Sequence, residues 1–367
     1  EIQRGDWSSD VCSSDLPKTE HLGSSRPNEI VPTSFEDIGE ESIHRAIERF
    51  NSIPDLKAYA RFLRENNVEM SPNGVCYAIV GPEGKSQTEA ILIPAPFANT
   101  MTDNMLERAD FLSKVVEEEG IADSDGNILP VILATSPGIG GSKMNFTKEE
   151  LAEIRSGNFG PYAKELLRAT ELIGVGRVAI TGASSQGADV ASASHKHAPS
   201  ANIDITRLAV GDPAGVVNRG VIELGRDFMA AGAKDLKQTL GEAGLPHKGD
   251  SINTADFARF GLSAIISPVN RALWQGLGHD NFEKTLIEIL NSPQVADKIT
   301  KSVVVGYGEN SSIARPEHIE PALQRATEQD LMKILYTMRV KKGNHTWGDN
   351  LPLLSLLIVR AFNASNR

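Results

Sequence analysis

Residues 178–190 read VAITGASSQGADV. The stretch begins with an apolar run, passes through small residues around two serines, and continues in a helical pattern. A strand, a sharp turn and a helix in this order hold one serine at the tip of a strained corner, where its hydroxyl is exposed. The stretch therefore predicts an exposed nucleophile together with two elements of the fold.

Sterics decide which serine stands at the corner. A nucleophile elbow packs its strand so closely against its helix that the residues two before and two after the nucleophile must be small. Centring the corner on Ser184 puts the large Gln186 at one of these positions, whereas centring it on Ser185 puts Ala183 and Gly187 there. Ser185 is the candidate nucleophile, and the backbone N–H of Gln186 is a candidate oxyanion donor. A Ser- and Gly-rich turn without chemistry explains the same residues.

Strand and helix patterns alternate through most of the chain. The apolar runs that we predict as strands cover residues 75–80, 89–94, 129–134, 177–181, 208–210, 303–307 and 338–342. Helical patterns separate most of them at the spacing of right-handed βαβ crossovers. We therefore predict the α/β class, with a mostly parallel sheet that helices cover on both faces.

Two segments depart from this alternation. Residues 35–73 carry apolar side chains at helical spacing, which predicts N-terminal helices interrupted at Pro54. In residues 220–300 helical segments follow one another, which predicts a helical cap inserted into an α/β core of residues 74–219 and 301–367. Such an insertion is expected at the carboxyl ends of the strands, where open α/β sheets bind ligands.

The beginning of the chain needs separate treatment. The run DWSSDVCSSDL at residues 6–16 looks like a translated sequencing adapter, so we expect a metagenomic gene model in which residues 1–16 are not native. Residues 17–34 are polar and rich in Pro, Gly and Ser, which predicts a disordered lead-in. Setting Cys12 aside leaves Cys76 alone, which excludes an internal disulfide and favours a reducing, cytoplasmic compartment.

Composition and histidine spacing argue against several partners. The 367 residues carry a formal net charge of −11 without a basic stripe, which argues against nucleic acid. No apolar run reaches the ~18 residues that a membrane span requires. His195 and His197 are two apart in a helical pattern and do not share a face, so we predict no metal site. A small molecule is the expected partner, and the oligomeric state stays open.

The order of the candidate residues resembles that of a known fold family. Ser185 follows one strand, acidic residues follow later strands, and His345 follows the last, which is the order Ser, Asp or Glu, His of α/β-hydrolases. From Gly74 to Phe362 the sequence looks like an α/β-hydrolase-fold serine hydrolase with an inserted helical cap. In that family the serine attacks an acyl carbon, the histidine takes and returns the proton, and an acid orients the imidazole.

The resemblance also implies a second oxyanion donor after the strand at residues 89–94. The family often has His-Gly there, whereas this chain has Pro94, Ala95, Pro96 and Phe97. Because Pro96 has no N–H, the implied donor is the backbone of Phe97. The resemblance implies no cofactor.

The acid departs from the family pattern. Many members carry Asp in a Gly-x-x-Asp turn after the strand that corresponds to residues 303–307, and this chain has Ser311 there. A serine cannot stabilise an imidazolium. Two acids remain: Glu309 in the same turn, and Asp212 after the preceding strand, as in certain haloalkane dehalogenases. We prefer Asp212 because a strand end fixes its position, although an ordinary turn before Pro213 also explains it.

The resemblance implies cleavage of a carboxylic ester or related acyl bond through an acyl-enzyme intermediate. It does not indicate which small-molecule acyl substrate is used. The serine at position 311 motivates an alternative, a catalytically silent α/β-hydrolase scaffold that binds a small ligand or a protein partner.

Overall fold

The computed structural model describes most of the chain. The described residues are 36–38, 67–95, 103–135, 145–183, 185–237, 267–341 and 351–364, together with positions 41, 45, 49, 65, 142, 143 and 343. All of them belong to one compact unit, Ser34–Arg367. The predicted lead-in, the middle of the predicted cap, Phe97 and His345 lie outside the described residues.

Apolar, largely buried runs form the strands of a single sheet. Its nine strands within the described ranges are β1 (Glu36–Ile38), β2 (Val68–Met70), β3 (Cys76–Val80), β4 (Glu89–Pro94), β5 (Val131–Ala134), β6 (Arg177–Ala183), β7 (Asp204–Gly211), β8 (Ser302–Gly308) and β9 (Leu335–Val340). Their order is β1-β9-β8-β7-β6-β4-β5-β3-β2. Every pair from β1 to β5 is parallel, and β3 and β2 are antiparallel. The prediction of a mostly parallel sheet is confirmed.

Amphipathic helices connect these strands. They are α1 (Asp103–Glu118), α2 (Lys148–Arg155), α3 (Gly160–Leu172), α4 (Ser185–His197), α5 (Val221–Lys237), α6 (Pro268–Gly276), α7 (Phe282–Leu290), α8 (Pro293–Ala296), α9 (Pro316–Glu328) and α10 (Leu351–Ala364), with a 3₁₀ turn at Ala198–Ala201. Thr147 and Glu150 form a reciprocal capping box at the start of α2. Among the described residues, no helix combines the length and apolar character that crossing a membrane requires.

Helices cover both faces of the sheet, as predicted. On one face, α2, α3, α4, α7 and α9 pack over apolar side chains of the central strands. On the other face, α1 and α10 bury a second cluster, which includes Ile38 of β1 and Val340 of β9. Two such cores, one on each side of the sheet, are the layered arrangement of an α/β domain.

The first described strand differs from the sequence prediction. Residues 36–38 were expected to begin a helix, but they form β1 and pair in parallel with β9, with Ile38 opposite Val340. Asp37 also forms a bidentate ion pair with Arg339, with N–O distances of 2.8 and 3.2 Å. A three-residue strand has no periodicity of its own, so its pairing partner decides its structure. Residues 68–70 likewise form the strand β2 instead of extending the predicted helices.

The carboxyl-terminal part of the predicted cap also differs. Helix α7 lies within residues 220–300, yet Phe282, Leu286 and Ile289 are buried in the same core as α4. This helix is therefore part of the layer that covers the sheet. Its apolar stripe is spaced like that of any surface helix, so the sequence did not distinguish the two roles.

A strand and a helix approach each other closely at the predicted elbow. A Cβ atom added to Gly182, in β6, would lie 2.0 Å from the carbonyl oxygen of Gly187 and 2.7 Å from the Cβ of Ala191, both in α4. Real Cβ atoms do not make contacts this short, so the two backbones can meet only if residue 182 lacks a side chain.

We expect Gly182→Ala to push β6 and α4 apart and to lower the free energy of unfolding by about 3 kcal/mol. Gly176→Ala is the matched control, because a Cβ there meets nothing within 4 Å, and it should change stability by no more than about 0.5 kcal/mol. Urea unfolding of the two variants and the wild type measures both effects. Equal stabilities of the two variants would contradict the close contact.

Candidate active site

A strand and a helix flank the predicted elbow. Strand β6 ends at Ala183, and Ser185 is the first residue of α4. Gln186 is the second residue of α4, and N–H groups in the first turn of a helix have no acceptor within the helix and point outward, beyond its N-terminus. The backbone N–H of Gln186 therefore points toward the end of the helix at which Ser185 stands.

The predicted elbow lies at the point where the order of strands along the sheet reverses. Strands β4 and β6 are neighbours, but the chain runs from β4 to β5 on one side and from β6 to β7 on the other. In open parallel sheets the crevice outside the carboxyl ends of two such strands is where ligands bind. Ser185 follows β6 at this crevice, and Ala95 is the last described residue after β4.

Asp212 follows β7 directly and is fully buried. Its backbone has φ of 52°, a left-handed conformation that few residues other than glycine adopt. The other non-glycine residues with positive φ in the described part of the chain, Asn202, Lys298 and Lys333, are all exposed. A strained residue that is also a buried carboxylate points to a constraint beyond an ordinary turn.

Hydrogen bonds hold the Asp212 carboxylate on the side of β8. The Ser311 hydroxyl donates to its Oδ2 at 2.7 Å, and the Gly308 N–H donates to its Oδ1 at 3.2 Å. The Ser311 oxygen in turn accepts from the N–H groups of Ile313 and Ala314, at 3.1 and 3.0 Å. The serine at the position where the family carries its acid is thus a direct partner of Asp212.

Glu309 is placed differently. It follows β8, its side chain is exposed, and its backbone N–H donates to the carbonyl of Val340. The neighbouring Asn310 donates its backbone N–H to Gly343 at 2.6 Å. The turn after β8 is therefore tied to the chain just beyond β9.

A buried ionic cluster that sequence reasoning missed links α5 to the same turn. The Arg219 guanidinium donates to the carbonyls of Ser312 and Ile313, at 3.2 and 2.7 Å, and lies 3.6 Å from the Asp227 carboxylate in α5. Arg315 donates to Asp227 at 2.8 Å. The contacts made by Ser312, Ile313 and Arg315 join residues about 90 positions apart in the chain, so no local pattern could reveal them.

Asp189 is a second buried carboxyl that sequence reasoning missed. It lies in α4, one turn after Ser185, and accepts hydrogen bonds from the backbone N–H groups of Gly215 and Ala214. Its Oδ2 atom has no hydrogen-bond partner within the described structure. Burial raises the pKa of this carboxyl to about 7, and the two backbone donors only partly oppose that effect.

His195 in α4 is held by a buried hydroxyl group. His195 is buried and its Nε2 lies 3.0 Å from the Thr300 hydroxyl, which donates to the carbonyl of Ile205. Burial lowers the pKa of His195 to about 4, which keeps the ring neutral. Over the ranges that the structure describes, no group of three His, Cys, Asp or Glu side chains is arranged to hold a metal ion.

Comparison with known proteins identifies solved structures of similar fold. No protein-family model and no curated protein matches the chain. Similar structures include a 2-hydroxy-6-oxo-6-phenylhexa-2,4-dienoate hydrolase from Rhodococcus sp. strain RHA1 (TM-score 0.47, 13% identity, covering 81% of this chain and 99% of that one). A second is a carboxylesterase of Nitrososphaera gargenis (TM-score 0.46, 12% identity, covering 81% of this chain and 97% of that one). A third is the thioesterase domain from the curacin biosynthetic pathway (TM-score 0.45, 15% identity, covering 80% of this chain and 98% of that one).

These similarities concern the fold alone, because the identities are low and none of the three TM-scores reaches 0.5. The assignment rests on the architecture itself: a mostly parallel sheet, helices on both faces, and a strand order that reverses between β4 and β6. The protein has the mostly parallel α/β fold that the sequence predicted.

Asp189 gives a prediction about pH and stability. Since its pKa rises from 3.8 in the unfolded chain to about 7 in the folded one, the folded chain binds the extra proton, and the stability from this group is lost as the pH rises through about 7. Asp189→Asn removes the titration. We expect the wild type to lose roughly 2–3 kcal/mol of unfolding free energy relative to this variant between pH 5 and pH 8.

Urea unfolding of both proteins at the two pH values measures this difference. His195 titrates in both proteins, so its contribution cancels. A wild-type-minus-variant difference that stays constant with pH would contradict the raised pKa.

Proposed function

We propose that the protein is a serine hydrolase that cleaves a carboxylic ester or a related acyl bond through an acyl-enzyme intermediate. Ser185 is the nucleophile, His345 the general base and acid, and Asp212 the carboxylate that orients the imidazole. The observation that carries the proposal is the buried, strained and hydrogen-bonded Asp212 at the carboxyl edge of the strand next to the elbow.

The register of the sheet supports this pairing of residues. Ala183, the last residue of β6, is opposite Gly211, the last residue of β7, and Gly211 is opposite Gly306 in β8. Neighbouring strands lie ~4.8 Å apart. Ser185 and Asp212 therefore leave the same edge of the sheet at nearly the same level, from strands that are in direct contact.

Contacts around the loop before His345 support its role. Gly308, whose N–H donates to Asp212, is opposite Val340 at the end of β9. Gly343 accepts from Asn310 in the turn that carries Ser311. His345 is two residues further along the chain, and two residues span at most about 7 Å. We propose that His345 lies between Asp212 and Ser185.

The proposed reaction divides into two steps. The Ser185 hydroxyl oxygen attacks the acyl carbon while His345 takes its proton, and the N–H groups of Gln186 and Phe97 donate to the oxyanion. The C–O bond to the leaving alcohol then breaks, and His345 returns the proton to that oxygen. In the second step His345 deprotonates a water, whose oxygen attacks the acyl carbon; the bond from that carbon to the Ser185 oxygen then breaks, and His345 returns the proton to Ser185 as the acid leaves. All atoms balance without a cofactor.

The nucleophile is tested with a fluorophosphonate probe and a short-chain nitrophenyl ester. We expect the wild type to react with both and Ser185→Ala to lose labelling and at least about 10³-fold in kcat. Ser184→Ala is the matched control and should keep labelling, because only one of the two serines stands at the corner.

Two outcomes would argue against this assignment. Equal labelling of the wild type and Ser185→Ala would remove Ser185 from the nucleophile position. A wild type that neither binds the probe nor hydrolyses a panel of esters would favour the alternative, a catalytically silent scaffold that binds a ligand or a partner.

The acid is tested by comparing the two candidates. We expect Asp212→Asn to lower kcat by about 10⁴-fold, because an amide fixes the wrong histidine tautomer and does not stabilise the imidazolium. Glu309→Gln changes an exposed side chain and should leave kcat within about threefold of the wild type. The reverse ranking in steady-state kinetics would assign the acid to Glu309.

A further inference from the structure

We propose that Asp189 is a positioning residue: through the backbone N–H groups of Ala214 and Gly215 it holds the loop that presents Asp212. The inference rests on the proposed function, since it assigns a role relative to the candidate acid. Asp189 does not contact the reacting atoms in this proposal. Asp189 acts on Asp212 through the hydrogen bonds that it accepts from Ala214 and Gly215, which follow Asp212 in the chain.

One helix carries both the candidate nucleophile and this carboxyl. Residues four apart in a helix lie on the same side, one turn apart, and Ser185 and Asp189 have this spacing at the start of α4. Ala214 and Gly215, which donate to Asp189, are two and three residues after Asp212. Because Oδ2 of Asp189 has no partner among the described residues, both donors bind Oδ1. The contact therefore sets the loop of Asp212 directly against the helix of Ser185.

The backbone of the loop is strained where it presents Asp212. Asp212 has positive φ and is followed by Pro213, which further restricts the preceding residue. Asp189 and Gly215 also line a cavity of about 700 Å³ beside α4, whereas Ala214 is buried in the core cluster. The Phe282 N–H donates to the carbonyl of Gly215 at 2.8 Å. Hydrogen bonds to Asp189 and from Phe282 therefore add to the packing of Ala214 in setting where the loop lies.

The burial of Asp189 supports its role as a positioning residue. Nine-tenths or more of its surface is buried, and such a position normally selects an apolar residue. Burial also raises the pKa of the carboxyl to about 7, so a neutral acceptor is nearly equivalent to the native group. Asparagine has the same shape and keeps Oδ1, whereas alanine leaves two backbone donors without an acceptor.

The test compares Asp189→Ala with Asp189→Asn, using Ser192→Ala as the matched control. Ser192 is a buried hydroxyl on the same helix, and it donates to the carbonyl of Ala188, at 2.9 Å. Two properties are measured on the full chain: kcat and KM for a nitrophenyl ester, and hydrogen exchange of the Ala214 and Gly215 amides.

We expect Asp189→Ala to lower kcat about a hundredfold with KM within about threefold, because a displaced acid impairs chemistry more than binding. Exchange of the two amides should rise in the same variant. Asp189→Asn should restore kcat to within about threefold of the wild type and should keep the amides protected. Ser192→Ala should change neither property.

Other results would overturn the inference. A kcat for Asp189→Ala no lower than that for Ser192→Ala, or unchanged exchange at Ala214 and Gly215, removes the positioning role while the proposed function stands. Loss of kcat in Asp189→Asn equal to that in Asp189→Ala also overturns it, because the acceptor would not be what matters. A wild type that neither binds the fluorophosphonate probe nor cleaves the ester overturns the proposed function and the positioning role together.

Discussion

The contact between Gly182 and Gly187 is the constraint on which the candidate site depends. At this point the backbones of β6 and α4 meet so closely that a single added carbon would lie 2.0 Å from a carbonyl oxygen. The approach fixes the start of α4, and with it the direction in which Ser185 and the N–H of Gln186 leave the sheet. The same approach sets the depth of Asp189, one turn along the helix, against the loop that follows β7. The absence of a side chain at Gly182 thus sets the positions of the start of α4 and of the loop that follows β7.

The two buried carboxyl groups near the elbow differ in how their charge is compensated. Asp212 accepts from a hydroxyl and a backbone N–H on the β8 side, and Arg219 lies near enough to interact with it electrostatically. Among the residues that the structure describes, those that donate to Asp189 do so through backbone N–H groups, and burial raises its pKa to about 7. Of the two groups, only Asp212 combines a strand-end position with hydrogen bonds from a hydroxyl and a backbone N–H.

Local sequence signals predicted the elements but not the contacts between distant ones. The buried runs of β6, β7 and β8 and the small residues around Ser185 were readable because each lies within a short stretch. The sequence offered both Asp212 and Glu309, and only burial and the bond from Ser311 distinguish them. Asp189 and the cluster of Arg219, Asp227 and Arg315 were missed because their partners come from other elements. The roles of Phe97 and His345 stay predictions, since both lie outside the described residues.

Both edges of the sheet carry short strands with acidic side chains. At one edge β1 has three residues, of which Glu36 and Asp37 are exposed, and at the other edge β2 has three residues, with Glu69 exposed. Short, charged edges discourage the addition of a strand from another molecule. Asp37 is further engaged by Arg339, which turns its carboxylate toward its own sheet. Strand β1, which pairs with β9, therefore also hinders aggregation, because the strand edge that it leaves open is short and acidic.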